Sequence, residues 1–228
     1  MNPFEYQRAD QVQTAVQAIA RPGGAKFLAG GTNLVDLMKN GVETPARIID
    51  INRLPLSRIE PRDDGGLRLG ALARNSDTAN HPMVREKYPL LSQALLSGAS
   101  PQLRNLATNG GNLMQRTRCA YFMDAAFPQC NKRAASSGCG AIEGVNRNHA
   151  ILGASSQCIA TNPSDMCVAL VALDAVVIAR GPRGERSIPI GDFHRLAGDT
   201  PQLDNNLRSD ELIVAIDLPP PSGAMRTI

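Results

Sequence analysis

Residues 26–34 read Lys-Phe-Leu-Ala-Gly-Gly-Thr-Asn-Leu, and residues 108–112 read Thr-Asn-Gly-Gly-Asn. Each glycine pair follows an apolar or helix-like stretch and sits beside small polar residues. A Gly pair lets the backbone approach a ligand closely and adopt positive φ. Successive N–H groups in such a turn form a concavity that binds anions. Two such turns suit a ligand with two phosphates, such as a dinucleotide, although either alone is also what an ordinary turn looks like. Gly30-Gly31-Thr32-Asn33 is not G-x-G-x-x-G, and no acidic residue closes a classical βαβ nucleotide site. Nor does Gly-Lys-Ser/Thr follow, so this is not a Walker loop.

Around the first pair the pattern is α/β. Asp10 reads as a helix N-cap, with Val12, Ala15, Val16 and Ile19 at helical spacing behind it. Pro22-Gly23-Gly24 ends that helix. Lys26–Ala29 reads as a strand, Leu34–Lys39 as a helix and Ala46–Ile51 as a second strand. The first turn thus lies near a helix N-terminus, where negative charge is favoured.

A second unit begins near Leu56. Leu67–Leu72 reads as a strand, Leu90–Leu96 as a helix, and Pro101–Thr108 leads into the second glycine turn. Met166–Leu173 is a strongly apolar helix. Ala175–Ala179, Ser187–Ile190 and Leu212–Leu218 read as strands, the first two joined as a hairpin through Gly181-Pro182-Arg183-Gly184. With strands outnumbering helices, this half is expected to be antiparallel-rich α+β.

With 228 residues the chain can bury a substantial core. No apolar run reaches membrane-spanning length. A net charge of +3 with scattered basic residues, no Trp, three Tyr and five Phe gives no basis for a nucleic-acid partner. The N-terminus has no basic region followed by an apolar core, so no secretion signal is expected. Export in folded form with a signal-bearing partner would place the protein in the periplasm; otherwise the cytoplasm is expected.

Residues 118–160 differ from the rest. They are rich in Cys, Asn, Ser, Gly and Arg and lack periodicity, and a structureless loop of that length needs something besides apolar burial to order it. Four of the five cysteines, Cys119, Cys130, Cys139 and Cys158, lie there. An odd cysteine count without a signal argues against a secreted disulfide framework and for a metal or redox site. The spacing C-x10-C-x8-C-x18-C matches neither a ferredoxin run nor a zinc ribbon. Cys167 reads as a small buried hydrophobe. His81, His149 and His194 show no zinc-protease spacing and read as surface or structural residues. No nucleophile elbow is present, so hydrolase chemistry has no support.

Ala29-Gly30-Gly31-Thr32-Asn33-Leu34, Ser100-Pro101-Gln102-Leu103-Arg104-Asn105, Thr108-Asn109-Gly110-Gly111-Asn112 and Asn162-Pro163-Ser164-Asp165 together resemble the FAD-binding subunit of molybdenum hydroxylases, the relatives of xanthine dehydrogenase and carbon monoxide dehydrogenase. The likeness runs in order from about residue 3 to 219. It is strongest to the bacterial aldehyde oxidoreductase type that carries an extra [4Fe–4S] cluster. The resemblance implies a PCMH-type FAD-binding fold, α+β in class. A small α/β subdomain (1–56) and a larger antiparallel α+β subdomain (57–219) would clasp an extended FAD.

By the same resemblance, Lys26, Phe27, Leu28, Ala29, Gly30, Gly31, Thr32, Asn33 and Leu34 would wrap the FAD pyrophosphate. Thr108, Gly111 and Asn112 would form a second wall, with polar contacts from Thr117 and Asp165. Asp165 reads equally as an N-cap beside Ser164, and Lys26 as a solvated strand end. Relatives without the extra cluster pass almost directly from the equivalent of Thr117 to that of Asn162, which makes residues 118–160 an insertion. Cys119, Cys130, Cys139 and Cys158 would be the ligands of a [4Fe–4S] cluster, with zinc the rival metal. Family partners are a molybdenum-cofactor subunit, where the substrate is oxidised, and a [2Fe–2S] subunit. The flavin subunit therefore contributes no general acid or base. Relatives continue into a small C-terminal domain, and residues 220–228 read as a linker-like tail where it would begin. The alternative function is a non-enzymatic interaction module stabilised by a structural zinc or cluster site with four cysteine ligands.

Overall fold

The computed structural model describes residues 1–221. Residues 222–228, most of the linker-like tail, lie outside them. The chain opens with β1 (Glu5–Arg8), α1 (Val12–Ile19), β2 (Ala25–Leu28), α2 (Leu34–Lys39) and β3 (Arg47–Asp50). It continues through β4 (Ile59–Pro61), β5 (Leu67–Gly70), α3 (Asn75–Asn80), α4 (Pro82–Lys87), α5 (Pro89–Ser97), α6 (Pro101–Arg104), α7 (Asn109–Leu113) and α8 (Ala120–Met123). After a long irregular stretch come α9 (Asp165–Ala172), β6 (Val176–Gly181), β7 (Gly184–Pro189) and β8 (Leu212–Leu218).

Two sheets result. The first is parallel, in the order β1-β3-β2, with Tyr6 opposite Ile48 and Phe27 opposite Ile49. The second is antiparallel, in the order β4-β5-β8-β6-β7. The Gly181–Gly184 hairpin is present, with those two glycines paired.

Every residue of β8 is buried, because both of its faces are covered. On one face Ile213, Ile216 and Leu218 pack with α3, α5 and α9 residues such as Ala79, Leu91 and Leu170. On the other, Leu212, Val214 and Ala215 pack with Ala15, Val16 and Ile49 of the parallel unit. Val214 and Ala215 share a face because β8 bulges there: Ile178 pairs with Ala215 and Ala179 with Ile213, leaving Val214 unpaired in the ladder. The freed Val214 carbonyl accepts the Ala71 N–H at 3.1 Å. Asp217, buried on the same strand, accepts both Arg68 Nε and Nη2 at 2.7 Å and pairs with Arg62 at 2.8 Å.

Several expectations need correction. The N-cap position of α1 is Gln11, and no side chain caps it, so Asp10 does not serve that role. Strand β1 has no counterpart in the sequence reading. Within 57–219, helices outnumber strands among the described residues, although the sheet is antiparallel as expected. The second glycine pair is not a turn. Gly110 and Gly111 lie inside α7, and neither has positive φ. Thr108 caps that helix, its Oγ1 accepting the Gly111 N–H at 3.2 Å.

The packing around β8 yields a stability contrast. Ile216→Ala, at a site with no exposed surface, should cost about 2–5 kcal/mol. Val168→Ala, on the 72% exposed face of α9, should stay within about 0.5 kcal/mol. Urea unfolding of the two variants measures both; equal losses would contradict the two-faced burial of β8.

Candidate functional site

A cleft of about 130 Å³ opens where the first glycine turn faces α5, α6, α7 and the start of α9. Thr32, Asn33, Gly111, Asn112 and Asp165 line it, as do Asn75, Ala99, Arg104, Gln115 and Arg118. The first five are sequence candidates. Ala99 and Arg104 belong to the Ser-Gly-Ala-Ser-Pro-Gln-Leu-Arg stretch, whose Ser-Pro helix start was the available signal. Asn75, Gln115 and Arg118 carried no signal in the chain.

The first turn presents unused donors. Among the described residues, the N–H groups of Gly30, Gly31, Thr32, Asn33 and Leu34 donate to no protein atom. Gly31 has φ +75°, which reverses the chain into α2 and suits glycine. A row of free N–H groups at the entry to a helix is the geometry that receives phosphate oxygens.

Gly30 has a different reason to be glycine. A methyl group built on it would lie 1.9 Å from the Leu106 carbonyl oxygen. The turn is therefore pressed against the lead-in to α7. That lead-in is itself anchored: the Asn75 N–H donates to Ala107 O at 2.9 Å, Asn109 N–H to Ala73 O at 3.0 Å and Gly110 N–H to Ala71 O at 2.8 Å. On the far side, Asn52 Nδ2 donates to Ala29 O at 2.9 Å and to Asp50 Oδ1 at 2.8 Å. Burial pushes the Asp50 carboxyl up, but hydrogen bonds from Tyr6 and Asn52 outweigh it and hold the group below the usual carboxylate range.

The other candidates fall in three places. Ala29 enters the turn, while Lys26, Phe27 and Leu28 lie along β2 and Leu34 starts α2; none of these five lines the cleft. Lys26 is exposed and pairs with Glu43 at 3.5 Å. Thr108 is buried as the cap of α7. Thr117 is buried beside the insertion, its Oγ1 accepting the Cys119 N–H at 3.2 Å. At α9 the cap is Ser164, whose Oγ accepts the Cys167 N–H at 3.0 Å and donates to Asn112 Oδ1 at 2.6 Å. Asp165 is the first helical residue, exposed at the cleft rim. Asn112 thereby ties α7 to the start of α9.

The insertion folds back on itself. Cys130 and Cys139 face each other in an antiparallel bridge, closed by Asn131 N–H to Gly138 O at 2.7 Å and Gly140 N–H to Gln129 O at 3.0 Å. Cys119 and Cys158 each lie within electrostatic reach of both Cys130 and Cys139. Burial pushes the Cys119 and Cys158 thiols up. All five cysteines are free thiols. Cys167 lies on α9 in the main core, its thiol pushed up to about 11 by burial. Among the described residues, no three His, Cys, Asp or Glu side chains are grouped to hold one metal ion. His149 is not a plain surface residue: its Nε2 lies 3.1 Å from Cys119 Sγ. His194 is structural, its Nε2 set 2.9 Å from Leu113 O.

A partly buried ionic network joins cleft and insertion. Arg116 donates its backbone N–H to Asn33 Oδ1 at 3.1 Å. Its guanidinium contacts Glu43 at 2.6 Å and Asp204 at 2.7 Å, and stacks over Phe122. Lys132, inside the insertion, meets the same Asp204 at 2.5 Å.

Two predictions test this geometry. Gly30→Ala must displace a backbone carbonyl and should cost about 1–3 kcal/mol or more. Gly111→Ala meets only Thr108 Oγ1, at 2.9 Å, and should cost no more than that cap, about 0.5–2 kcal/mol. Thermal melts should rank them in that order; the reverse ranking would contradict the contact with Leu106. The second concerns acid. Because the folded Asp50 pKa lies below its unfolded value, its stabilisation is present above about pH 4 and lost as pH falls through the folded pKa. Asp50→Asn should therefore be less stable at pH 7 and lose less on acidification, read from melting temperature against pH.

Residues 2–221 match the model of the family described as FAD binding domain in molybdopterin dehydrogenase. The chain is 55% identical over 224 residues to the aldehyde oxidoreductase FAD-binding subunit PaoB of Escherichia coli K12, covering 98% of this chain and 70% of that one. It is 29% identical to the putative xanthine dehydrogenase FAD-binding subunit XdhB of the same organism, covering 95% of this chain and 57% of that one. Carbon monoxide dehydrogenase from Hydrogenophaga pseudoflava superposes with a TM-score of 0.68 at 26% identity, covering 96% of this chain and 60% of the other. The chain thus spans less than two thirds of the last two. Its fold is the PCMH-type FAD-binding fold, with one parallel and one antiparallel sheet. With nearly its whole length inside the match, the chain belongs to the FAD-binding domain family of the molybdopterin dehydrogenases.

Proposed function

We propose that this chain is the FAD-binding, electron-transfer subunit of a molybdenum-dependent aldehyde oxidoreductase. The observation that carries the reading is the row of free N–H groups from Gly30 to Leu34, of which Thr32 and Asn33 line a cleft, in a chain 55% identical to an aldehyde oxidoreductase FAD-binding subunit. The subdomains 1–56 and 57–219 clasp FAD, with Gly30–Leu34 on the pyrophosphate and Gly111, Asn112 and Asp165 on the opposite wall. Bound FAD supplies the redox chemistry; the protein supplies position and electrostatics. Thr108 and Thr117 support from behind, and Lys26, Phe27 and Leu28 hold the turn by their strand pairing. No residue of this chain needs to move a proton, because aldehyde oxidation belongs to a molybdenum-cofactor subunit. Electrons arrive through a [2Fe–2S] subunit and leave to an acceptor. The compartment is the periplasm if a signal-bearing partner carries the chain there, and otherwise the cytoplasm. Among the described residues, no helix is long and apolar enough to cross a membrane.

The reading extends to the insertion. Cys119, Cys130, Cys139 and Cys158 hold a [4Fe–4S] cluster. Support comes from the donor set: four free cysteines on one irregular segment, two of them, Cys130 and Cys139, facing each other in an antiparallel bridge. Sulfur-only ligation suits iron–sulfur centres, and a bound cluster would replace the apolar burial this segment lacks.

The full chain, purified without oxygen, tests both halves through its visible spectrum and iron content. Two resolved flavin bands over broad brown absorption are expected. Cys119→Ser, Cys130→Ser, Cys139→Ser and Cys158→Ser should each lose most iron and become more protease-sensitive at 118–160, while Cys167→Ser keeps its iron. A colourless protein holding zinc would instead support a metal-stabilised interaction module. Iron lost from Cys167→Ser but kept by one of the other four would overturn the ligand set.

A further inference from the structure

Three charged residues line the cleft among the described residues: Arg104, Arg118 and Asp165. Two of them already have a place. Arg104 donates through Nη1 to the carbonyls of Leu96, Gly98 and Ala99 at 3.2, 2.8 and 2.8 Å. Asp165 lies against Gly98, where an added methyl group would sit 2.7 Å from its Oδ2. Arg118 is different. It is exposed, and among the described residues its side chain makes no hydrogen bond and no ion pair, with Asp165 or any other carboxylate. Arg116, two positions earlier, holds Glu43 and Asp204.

The backbone on either side of Arg118 is anchored. The Arg116 N–H donates to Asn33 Oδ1 at 3.1 Å, and the buried Thr117 accepts the Cys119 N–H on Oγ1 at 3.2 Å. Asn33 is itself one of the five turn residues with an unused N–H. Arg118, the first residue of the insertion, is therefore tied through Arg116 to the donor row.

An uncommitted guanidinium in a cleft that also holds unused N–H groups suits a phosphate anion. The guanidinium offers a planar fork of donors and a permanent charge, and the turn N–H groups offer donors without net charge. With two arginines and one aspartate, the cleft has a surplus of one positive charge. Without Arg118 it would be neutral.

Resting on the FAD reading above, we propose that Arg118 is a further cofactor-binding residue, a cation that the cysteine-rich insertion supplies to the cleft to pair with the diphosphate of FAD. The turn N–H groups fix where the phosphates sit, and Arg118 neutralises their charge.

The test is a fluorescence titration of the full chain, stripped of flavin, with oxidised FAD, whose negative charge lies on the diphosphate alone. Arg118→Ala should weaken binding about tenfold in about 0.02 M KCl. The gap from the parent should narrow to about threefold or less in about 0.5 M KCl, because an exposed charge pair is screened. Arg118→Lys keeps the charge without the fork and should fall between the two. The flavin-free melting temperature should be the same in all three, since the free arginine holds nothing in the fold. Equal FAD affinity in the parent and Arg118→Ala would overturn the pairing. So would a loss of the same size at both salt concentrations, or a lowered flavin-free melting temperature, since either assigns the arginine to packing. A parent chain that binds no FAD would overturn the FAD reading itself, and that failure appears before any substitution.

Discussion

The cleft depends on one close approach. Gly30 lies against the Leu106 carbonyl with no room for a Cβ, and this contact sets the spacing between the parallel unit and the helical wall. Each side is then fixed from behind. Asn52 and Asp50 hold the turn at Ala29, and three backbone hydrogen bonds from Asn75, Asn109 and Gly110 pin the lead-in to α7. Turn donors left free by this arrangement have no intramolecular alternative, so a bound anion would satisfy them without competing with the fold. Ala99, at φ 54° on the cleft rim, adds a strained point, held by Arg104 donating to the Gly98 and Ala99 carbonyls at 2.8 Å.

The insertion is not an appendage. Arg116 touches Asn33 in the cleft, Glu43 below the first turn and Asp204 near the end of the chain, and Lys132 brings the cysteine segment to the same carboxylate. A partly buried network of this kind gives geometry more than net stability, because desolvation offsets much of its Coulomb energy. Its consequence is that the cleft wall and the cysteine segment share a support.

Much of this was legible in the sequence, for identifiable reasons. The helix Leu34–Lys39 and the strand Leu212–Leu218 match the readings, because apolar residues dominate both, with Asp36 and Lys39 the charged positions of the first and Asp217 that of the second. Strand β1 was invisible: Glu-Tyr-Gln-Arg is a polar edge strand that only its pairing with β3 reveals. The second glycine pair read as a turn because Gly-Gly is the stronger local signal; Thr108 capping and the contact of Gly110 with Ala71 turn it into a helix. Gly30 read as a phosphate contact, yet its tightest constraint is a backbone carbonyl 76 positions away in sequence, which no local pattern encodes. Asn75 and Arg118 reach the cleft through tertiary placement alone. His149 carried no spacing signal because its partner is a sulfur across a folded loop.

The central claim is that the free donors of the first glycine turn receive the cofactor's phosphates. Amide hydrogen exchange of the full chain, with and without FAD, reads those donors directly. The account predicts strong slowing on FAD addition at the N–H groups of Gly30, Gly31, Thr32, Asn33 and Leu34. Tight FAD binding with exchange at those five amides unchanged would contradict it.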